Sequence, residues 1–169
     1  MRVTFLDIDG VLLPIGACSA VEIEAALDAP GEHLQMLVGR VPREAVDAVL
    51  ELCRIGKGQI VIISTWRRLF PKPFVEGFLQ ALGLGEHLHA DWWCDRRGFG
   101  SSKRDDIFNW IADHPGLEAA VTIDDWEIGL PYPMIQIQPD PKVGLTRADL
   151  TKARHRRRLQ NVMLAAVDA

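Results

Sequence analysis

Residues 1–10 of the chain, MRVTFLDIDG, contain a short apolar run that is interrupted by two aspartates and a glycine. The run from Val3 to Ile8 has the length of a buried strand, and the pair Asp9-Gly10 is typical of a turn that follows one. Asp7 and Asp9 are therefore predicted to lie at the carboxyl end of the first strand.

Two later runs of β-branched residues also end in polar side chains. Because the carboxyl ends of parallel strands meet at one edge of a sheet, we expect all of these polar residues to lie in one crevice. The two runs are Gln59 to Ile63, which precedes Ser64-Thr65, and Ala119 to Ile123, which precedes Asp124-Asp125.

Apolar residues recur at helical spacing between these runs. The clearest helix is Arg43 to Ile55, which is predicted to end at Gly56. Its apolar face consists of Val46, Val49, Leu50 and Cys53. Further helices are predicted at Val21 to Leu27, at Phe74 to Leu82, after a cap at Ser101 or Ser102, and from Thr146, with Asp149 as its capping partner, to about Val167.

The least regular part of the chain follows the first strand. Pro30-Gly31 is interpreted as a break, and His33 to Val41 as an extended segment. His87 to Ala90 and Met134 to Ile137 are predicted as short strands. Strands that alternate with helices of this length predict an α/β fold with a mostly parallel sheet, in a single domain over residues 1–169.

The composition is typical of a soluble globular protein. The 169 residues are 48% hydrophobic and 25% charged, and the formal net charge of -4 argues against a dedicated nucleic-acid coating protein. Acidic residues interrupt any run resembling a signal peptide, and no window approaches the roughly 20 apolar residues of a membrane span. Cys18, Cys53 and Cys94 lack CxxC spacing and are interpreted as reduced thiols in a cytoplasmic protein.

The polar residues at the strand ends offer a set of oxygen ligands. Four carboxylates gathered in one crevice repel one another, so their ionised forms require a cation. With no His or Cys among them they favour a hard ion, and Mg²⁺ is the candidate because it also leaves positions for water and phosphate oxygens. Lys103 and Ser64 would supply donors for the remaining charge of a phosphate.

The order of these residues resembles the four motifs of haloacid dehalogenase-like (HAD) phosphohydrolases. A DxDG sequence also occurs in calcium-binding loops, but the strand before it and the lack of the remaining loop ligands count against that alternative. The resemblance covers about residues 1 to 145. Its motifs are FLDIDGVL at 5–12, IVIIST at 60–65, Lys103 and VTIDD at 121–125.

The resemblance implies a three-layer α/β/α, Rossmann-like fold and a role for each motif residue. Asp7 would attack phosphorus to form an aspartyl-phosphate, and Asp9 would protonate the leaving oxygen and then activate water. Ser64 would bind the phosphoryl group, with Thr65 as a rival one position later, and Lys103 would stabilise its charge. The implied Mg²⁺ site consists of Asp7, the backbone carbonyl of Ile8, Asp124 and Asp125, with Asp9 beside it.

The spacing of the motifs leaves no room for a full cap domain. Residues 11–42 suffice for a small flap or lid, and an uncovered site suits a bulky substrate such as a nucleic-acid end, a protein or a nucleotide. The stretches STWRRLF at 64–70 and GLTRADL at 144–150 resemble HAD domains associated with nucleic-acid end repair. In such a domain Arg67 would reach the phosphate with its guanidinium fork.

Aromatic and basic residues near these motifs could contact a nucleic-acid strand. Alternatively, Trp92 and Trp93 belong to the core or to a lid, and the arginines are solvated. The basic residues within 154–158 form either a solvated helix face or a patch that contacts phosphates. The aromatic and basic set consists of Trp66, Trp92, Trp93, Arg67, Arg68, Arg96 and Arg97.

Three functional hypotheses remain open at this point. The first is a phosphatase without a cap that acts on a phosphorylated substrate, in particular on nucleotide or polynucleotide ends. The second is a small-metabolite phosphatase with a modest lid, and the third is a non-catalytic binding module that keeps the fold. None of them requires a membrane or an obligate protein partner.

Overall fold

The computed structural model describes residues 1–94, 101–131 and 134–153. Within these residues five strands form one sheet in the order β3-β2-β1-β4-β5, and every neighbouring pair is parallel. The predicted α/β fold with a mostly parallel sheet is therefore confirmed. The strands are β1 Arg2–Leu6, β2 Gln59–Ile62, β3 Leu88–Trp93, β4 Ala119–Ile123 and β5 Ile135–Ile137.

Helices follow or precede each of the central strands. Residues 147–153 are also helical, and the predicted continuation of that helix to Val167 lies outside the described residues. The helices are α1 Ala20–Asp28, α2 Pro30–Gly39, α3 Arg43–Gly56, α4 Trp66–Leu69, α5 Lys72–Ala81 and α6 Lys103–Asp113, with a 3-10 turn at Gly85–His87.

The sheet is covered on both faces because the side chains of β1 alternate between them. Val3 and Phe5 pack against Trp110 of α6, and the rings of Phe5 and Trp110 meet edge to face at 5.4 Å. On the opposite face, Leu6 joins the larger core cluster, which includes Val49 of α3. Helix, sheet and helix thus form three layers, as expected from the motif resemblance.

The prediction of an extended segment at His33 to Val41 is wrong, because helix α2 occupies most of it. Pro30 is the first residue of α2 rather than a break, a position where its missing N–H costs no hydrogen bond. Leu37 is fully buried and Leu34 contacts the core, so the segment has an apolar helical face that the Pro-Gly pair obscured.

Helices α1 and α2 occupy most of residues 11–42. A capping box between Ser19 and Glu22 begins α1, and the fully buried Ala26 places this helix on the same core as the rest of the domain. The segment is therefore built of packed helices. Its use as a flap or lid over the substrate stays a prediction.

Two of the predicted helix ends are confirmed in detail and one is shifted. Ser102 caps α6, and the side chains of Thr146 and Asp149 form the predicted pair at the start of the last helix, 2.7 Å apart. Helix α3 includes Gly56, the predicted stop, and its C-cap is the next residue, Lys57, which adopts a left-handed φ of 49°.

Among the described helices, none combines the length and the hydrophobicity that a membrane crossing requires.

Candidate active site

The carboxyl ends of the three central strands lie side by side. The backbone N–H of Asp7 donates to the carbonyl of Ile123 at 3.0 Å, so the pairing of β1 with β4 continues into the first motif. On the other side, the N–H of Ile63 donates to the carbonyl of Leu6 at 3.0 Å. Asp7 thus begins the loop that follows β1, with Asp124 after β4 on one side and Ser64 after β2 on the other.

Three carboxylates converge at this edge of the sheet. One oxygen each from Asp7, Asp124 and Asp125 lies within 4.8 Å of the other two. Asp7 and Asp124 are buried, with 3% and 0% of their surface exposed. Burial, together with the negative charge of Asp7, raises the pKa values of Asp124 and Asp125 above the usual range. Such a group has a strong electrostatic requirement for a cation.

Lys103 is the first residue of α6 and its ammonium lies between two of these carboxylates. Lys103 Nζ donates to Asp7 Oδ2 and, at 2.6 Å, to Asp124 Oδ2. Burial disfavours the charged ammonium, but the two carboxylates outweigh burial, and the pKa of Lys103 is raised. Helix α6 therefore delivers a permanent positive charge to the acidic cluster.

The side chain of Asp9 points to a different partner. The indole Nε1 of Trp66 donates to both Asp9 oxygens, at 3.0 Å each. The pKa of Asp9 is raised to about 6, and burial is the largest cause. The hydrogen bond from Trp66 acts in the opposite direction, and the negative charge of Asp7 adds to the effect of burial. Asp9 lies beside the group of three carboxylates rather than within it. A direct metal contact by Asp9 stays a prediction.

Ser64 and Thr65 differ in their surroundings. Ser64 is fully buried, and its Oγ accepts a hydrogen bond from the backbone N–H of Trp66 at 3.3 Å. Thr65 is exposed and its side chain does not cap α4, which it precedes. Ser64 therefore has its hydroxyl in the turn that follows β2, and the choice between the two as phosphoryl ligand stays a prediction.

Arg67 is anchored inside the protein instead of being held free for a phosphate. Its guanidinium donates to the backbone carbonyls of Ser64 at 3.0 Å and Ile63 at 2.9 Å, and to Asp106 Oδ2 at 3.0 Å. Only 6% of the Arg67 side chain is exposed. These contacts tie the end of β2 to α6, three residues after Lys103. Phosphate contact through the remaining nitrogen, Nη1, stays a prediction.

The predicted stacking surfaces are mostly internal. Trp66 and Trp92 are 2% and 6% exposed, so the stacking interpretation is wrong for these two and the core alternative holds for Trp92. Trp93 is half-buried, and Lys72 Nζ lies 6.0 Å from the centre of its ring. Arg96 and Arg97, like the basic residues within 154–158, lie outside the described residues.

Two glutamines of the β5 segment hold the loop that carries the acidic pair, and none of the four motifs predicts this role. Gln136 Nε2 donates to the carbonyl of Trp126 at 2.6 Å, and Gln138 Nε2 donates to that of Asp125 at 2.9 Å. The alternation of Ile and Gln at 135–138 was the available signal, because it places both amides on one face of the strand.

Gly10 allows the first motif to approach the fourth. Its φ is +71°, and a Cβ at this position would lie 2.6 Å from Asp125 Cγ. A residue with a side chain would therefore be strained in its backbone and would displace Asp125.

Gly10→Ala is expected to destabilise the protein and to weaken metal binding. The left-handed backbone alone costs about 1–2 kcal/mol for a residue with a Cβ, and the contact with Asp125 adds to it. Chemical denaturation and Mg²⁺ titration measure the two effects. Gly31→Ala is the matched control, since a Cβ there meets nothing within 4 Å. Equal stability of both variants would contradict the packing of Gly10 on Asp125.

Comparison with known protein families agrees with this arrangement of motifs. Residues 3–150 match the family described as the HAD domain in Swiss Army Knife RNA repair proteins. The chain belongs to this family. No significant match to this HAD domain was found among curated proteins or solved structures.

Membership indicates phosphatase-type chemistry for this HAD domain and an association with RNA repair. The four motif positions inferred from the sequence all lie within the matched residues. The acidic group at the strand ends is of the kind that the Mg²⁺-using HAD superfamily requires.

Proposed function

We propose that this HAD domain is a Mg²⁺-dependent phosphatase that hydrolyses phosphomonoesters through an aspartyl-phosphate, with nucleotide or polynucleotide ends as its substrates. The observation that carries the proposal is the convergence of Asp7, Asp124 and Lys103 at one edge of the sheet. Phosphoryl transfer through a covalent intermediate requires a nucleophilic carboxylate, a positively charged hydrogen-bond donor and carboxylates that bind a metal ion.

The chemistry of the side chains supports Mg²⁺ as the metal. Asp7, Asp124 and Asp125 offer carboxylate oxygens close enough to share one ion, and hard divalent cations prefer such ligands. The ammonium of Lys103 offsets only part of their charge. When bound, Mg²⁺ supplies positive charge for the phosphoryl oxygens and lessens the repulsion between the carboxylates.

In the first step, a carboxylate oxygen of Asp7 attacks phosphorus. A new O–P bond forms at Asp7 while the bond from phosphorus to the ester oxygen breaks. Asp9 gives its proton to that departing oxygen, which leaves as an alcohol. Lys103 lies within hydrogen-bond distance of the nucleophile and would stabilise the charge on the transferring group. The buried hydroxyl of Ser64 would donate to the same group.

In the second step, the aspartyl-phosphate is hydrolysed. Asp9, now ionised, takes a proton from a water molecule whose oxygen attacks phosphorus. The bond between phosphorus and Asp7 breaks, inorganic phosphate leaves, and Asp7 returns as a carboxylate. Asp9 ends the cycle protonated, ready for the next substrate, so the proton balance closes without another group.

The surface beside Asp124 and Asp125 favours a substrate that contains nucleobases. Trp126 follows Asp125 directly and is 74% exposed, so its indole is available for a base to stack upon. Its backbone N–H donates to Asp124 Oδ1 at 2.9 Å, which ties the position of this residue to the acidic group. The match to a domain of RNA repair proteins supports the same class of substrate.

A substrate panel with and without metal tests the proposal. Mg²⁺ is expected to support release of phosphate from 3′- or 5′-phosphorylated oligonucleotides, in preference to free nucleotides and sugar phosphates. EDTA is expected to remove this activity, and added Mg²⁺ to restore it. Preference for sugar phosphates would favour the small-metabolite phosphatase instead. Absence of all turnover, with oligonucleotide binding retained, would favour the non-catalytic module.

A further inference from the structure

The indole of Trp66 makes a contact that core packing does not require. A single N–H is shared between Oδ1 and Oδ2 of Asp9, at 3.0 Å from each. The indole nitrogen can only donate hydrogen bonds, and an ionised carboxylate can only accept them, so the two groups are complementary. A donor placed between the two oxygens leaves lone pairs on both of them for other partners.

The position of this donor is held from two sides. Trp66 is 2% exposed, and its ring centre lies 4.8 Å from those of Phe70 and Phe78. Its backbone N–H donates to Ser64 Oγ. Trp66 thus joins the turn after β2 to an aromatic cluster, and its N–H is aimed from there at the loop after β1.

We propose that Trp66 is a positioning residue that sets the orientation of the Asp9 carboxylate for proton transfer. The terminal torsion of an aspartate is broad, so an unrestrained carboxylate samples many orientations. The bifurcated hydrogen bond restricts this torsion and directs the free lone pairs away from the indole. The inference rests on the proposed role of Asp9 as general acid and base.

The aromatic neighbours show why the N–H matters. Phe70, Phe74 and Phe78 surround the indole, and a fourth phenylalanine would serve the packing of this cluster without bringing a polar atom into it. Tryptophan adds one buried donor, and Asp9 accepts from it. The indole N–H is therefore what Trp66 provides in this aromatic cluster and a phenylalanine would not.

Trp66→Phe is the test, because it keeps an aromatic ring but removes the donor. A poorly oriented general acid slows substrates whose leaving group needs a proton more than those whose leaving group is already stable as an anion. We expect kcat for phenyl phosphate to fall at least about tenfold, because positioned proton transfer contributes roughly 10²–10⁴-fold. The rate with p-nitrophenyl phosphate is expected to fall much less, with KM little changed for both.

Trp110→Phe is the matched control. Trp110 is 4% exposed, and its Nε1 donates to the carbonyl of Asp91 at 2.9 Å on the other face of the sheet. Its replacement by Phe makes the same change of ring and removes an equivalent donor without touching Asp9. This variant is expected to slow both substrates by the same factor, if at all. A Trp66→Phe enzyme that behaves in the same way would overturn the inference.

Two further variants separate the possible failures. Asp9→Asn that retains full activity would refute the proposed role of Asp9 itself. Asp9→Asn without activity, combined with a Trp66→Phe enzyme that shows no dependence on the leaving group, would refute only the inference about Trp66. If Trp66→Phe does not fold, 3-benzothienylalanine at position 66 keeps the bicyclic shape and replaces the N–H with sulfur. The same pair of substrates then decides the question.

Discussion

Asp7→Asn is expected to abolish the Mg²⁺-dependent turnover of p-nitrophenyl phosphate, with a loss of at least about 10³-fold. An amide oxygen is a poor nucleophile and carries no charge for a metal ion, so both proposed roles of Asp7 disappear together. The fold is expected to survive, since the amide oxygen of asparagine can still accept the hydrogen bond that the backbone N–H of Ile8 makes to Asp7 Oδ1 at 2.8 Å.

The measurement is phosphate release at saturating Mg²⁺, with circular dichroism to verify the fold. Asp28→Asn, at the exposed end of α1, is the control for loss of a carboxylate elsewhere. Trapping of a phosphorylated protein in the parent, and its absence in Asp7→Asn, would assign the covalent step. Equal rates for parent and Asp7→Asn would refute the nucleophilic role.

Arg67→Met is expected to lower the free energy of unfolding by about 3–5 kcal/mol. The substitution removes the guanidinium from Asp106, whose carboxylate is fully buried, and deletes two hydrogen bonds to carbonyls at the end of β2. Removal of one partner from a buried ion pair is costly because the other charge stays in a medium of low dielectric constant. Chemical denaturation gives the free energy directly.

A surface ion pair serves as the control for this prediction. Arg43 pairs with Asp47 at 2.9 Å on α3, but the Arg43 side chain is 75% exposed to solvent and that of Asp47 is 36% exposed. Arg43→Met is therefore expected to change stability by less than about 1 kcal/mol. A similar small effect for Arg67→Met would mean that the tie between β2 and α6 contributes little to the fold.

Much of the fold was predictable because its signals are local. The β-branched runs, the helical spacing in α3 and the caps at Ser102 and Thr146 each depend on residues a few positions apart. Helix α2 was missed for the same reason: a Pro-Gly pair usually breaks a helix, and only its position at the start of α2 makes it compatible with one.

The candidate site was predictable in part. The chain alternates strands and helices, so its polar strand ends had to meet at one edge, and the structure brings Asp7, Asp124, Asp125 and Lys103 together there. The contacts of Trp66 and Arg67 in the structure differ from those predicted. Both were expected to face a substrate, whereas the structure turns both inward.

Periodicity and motif order were enough to derive the parallel sheet and the positions of the acidic residues, since both follow from the chain's local geometry. The assignment of Trp66 to Asp9 and of Arg67 to Asp106 needed the folded chain, because these pairs are 57 and 39 residues apart. The partner of a long polar side chain depends on how its helix packs. In this protein, helix packing directs the indole of Trp66 to Asp9 and the guanidinium of Arg67 to Asp106.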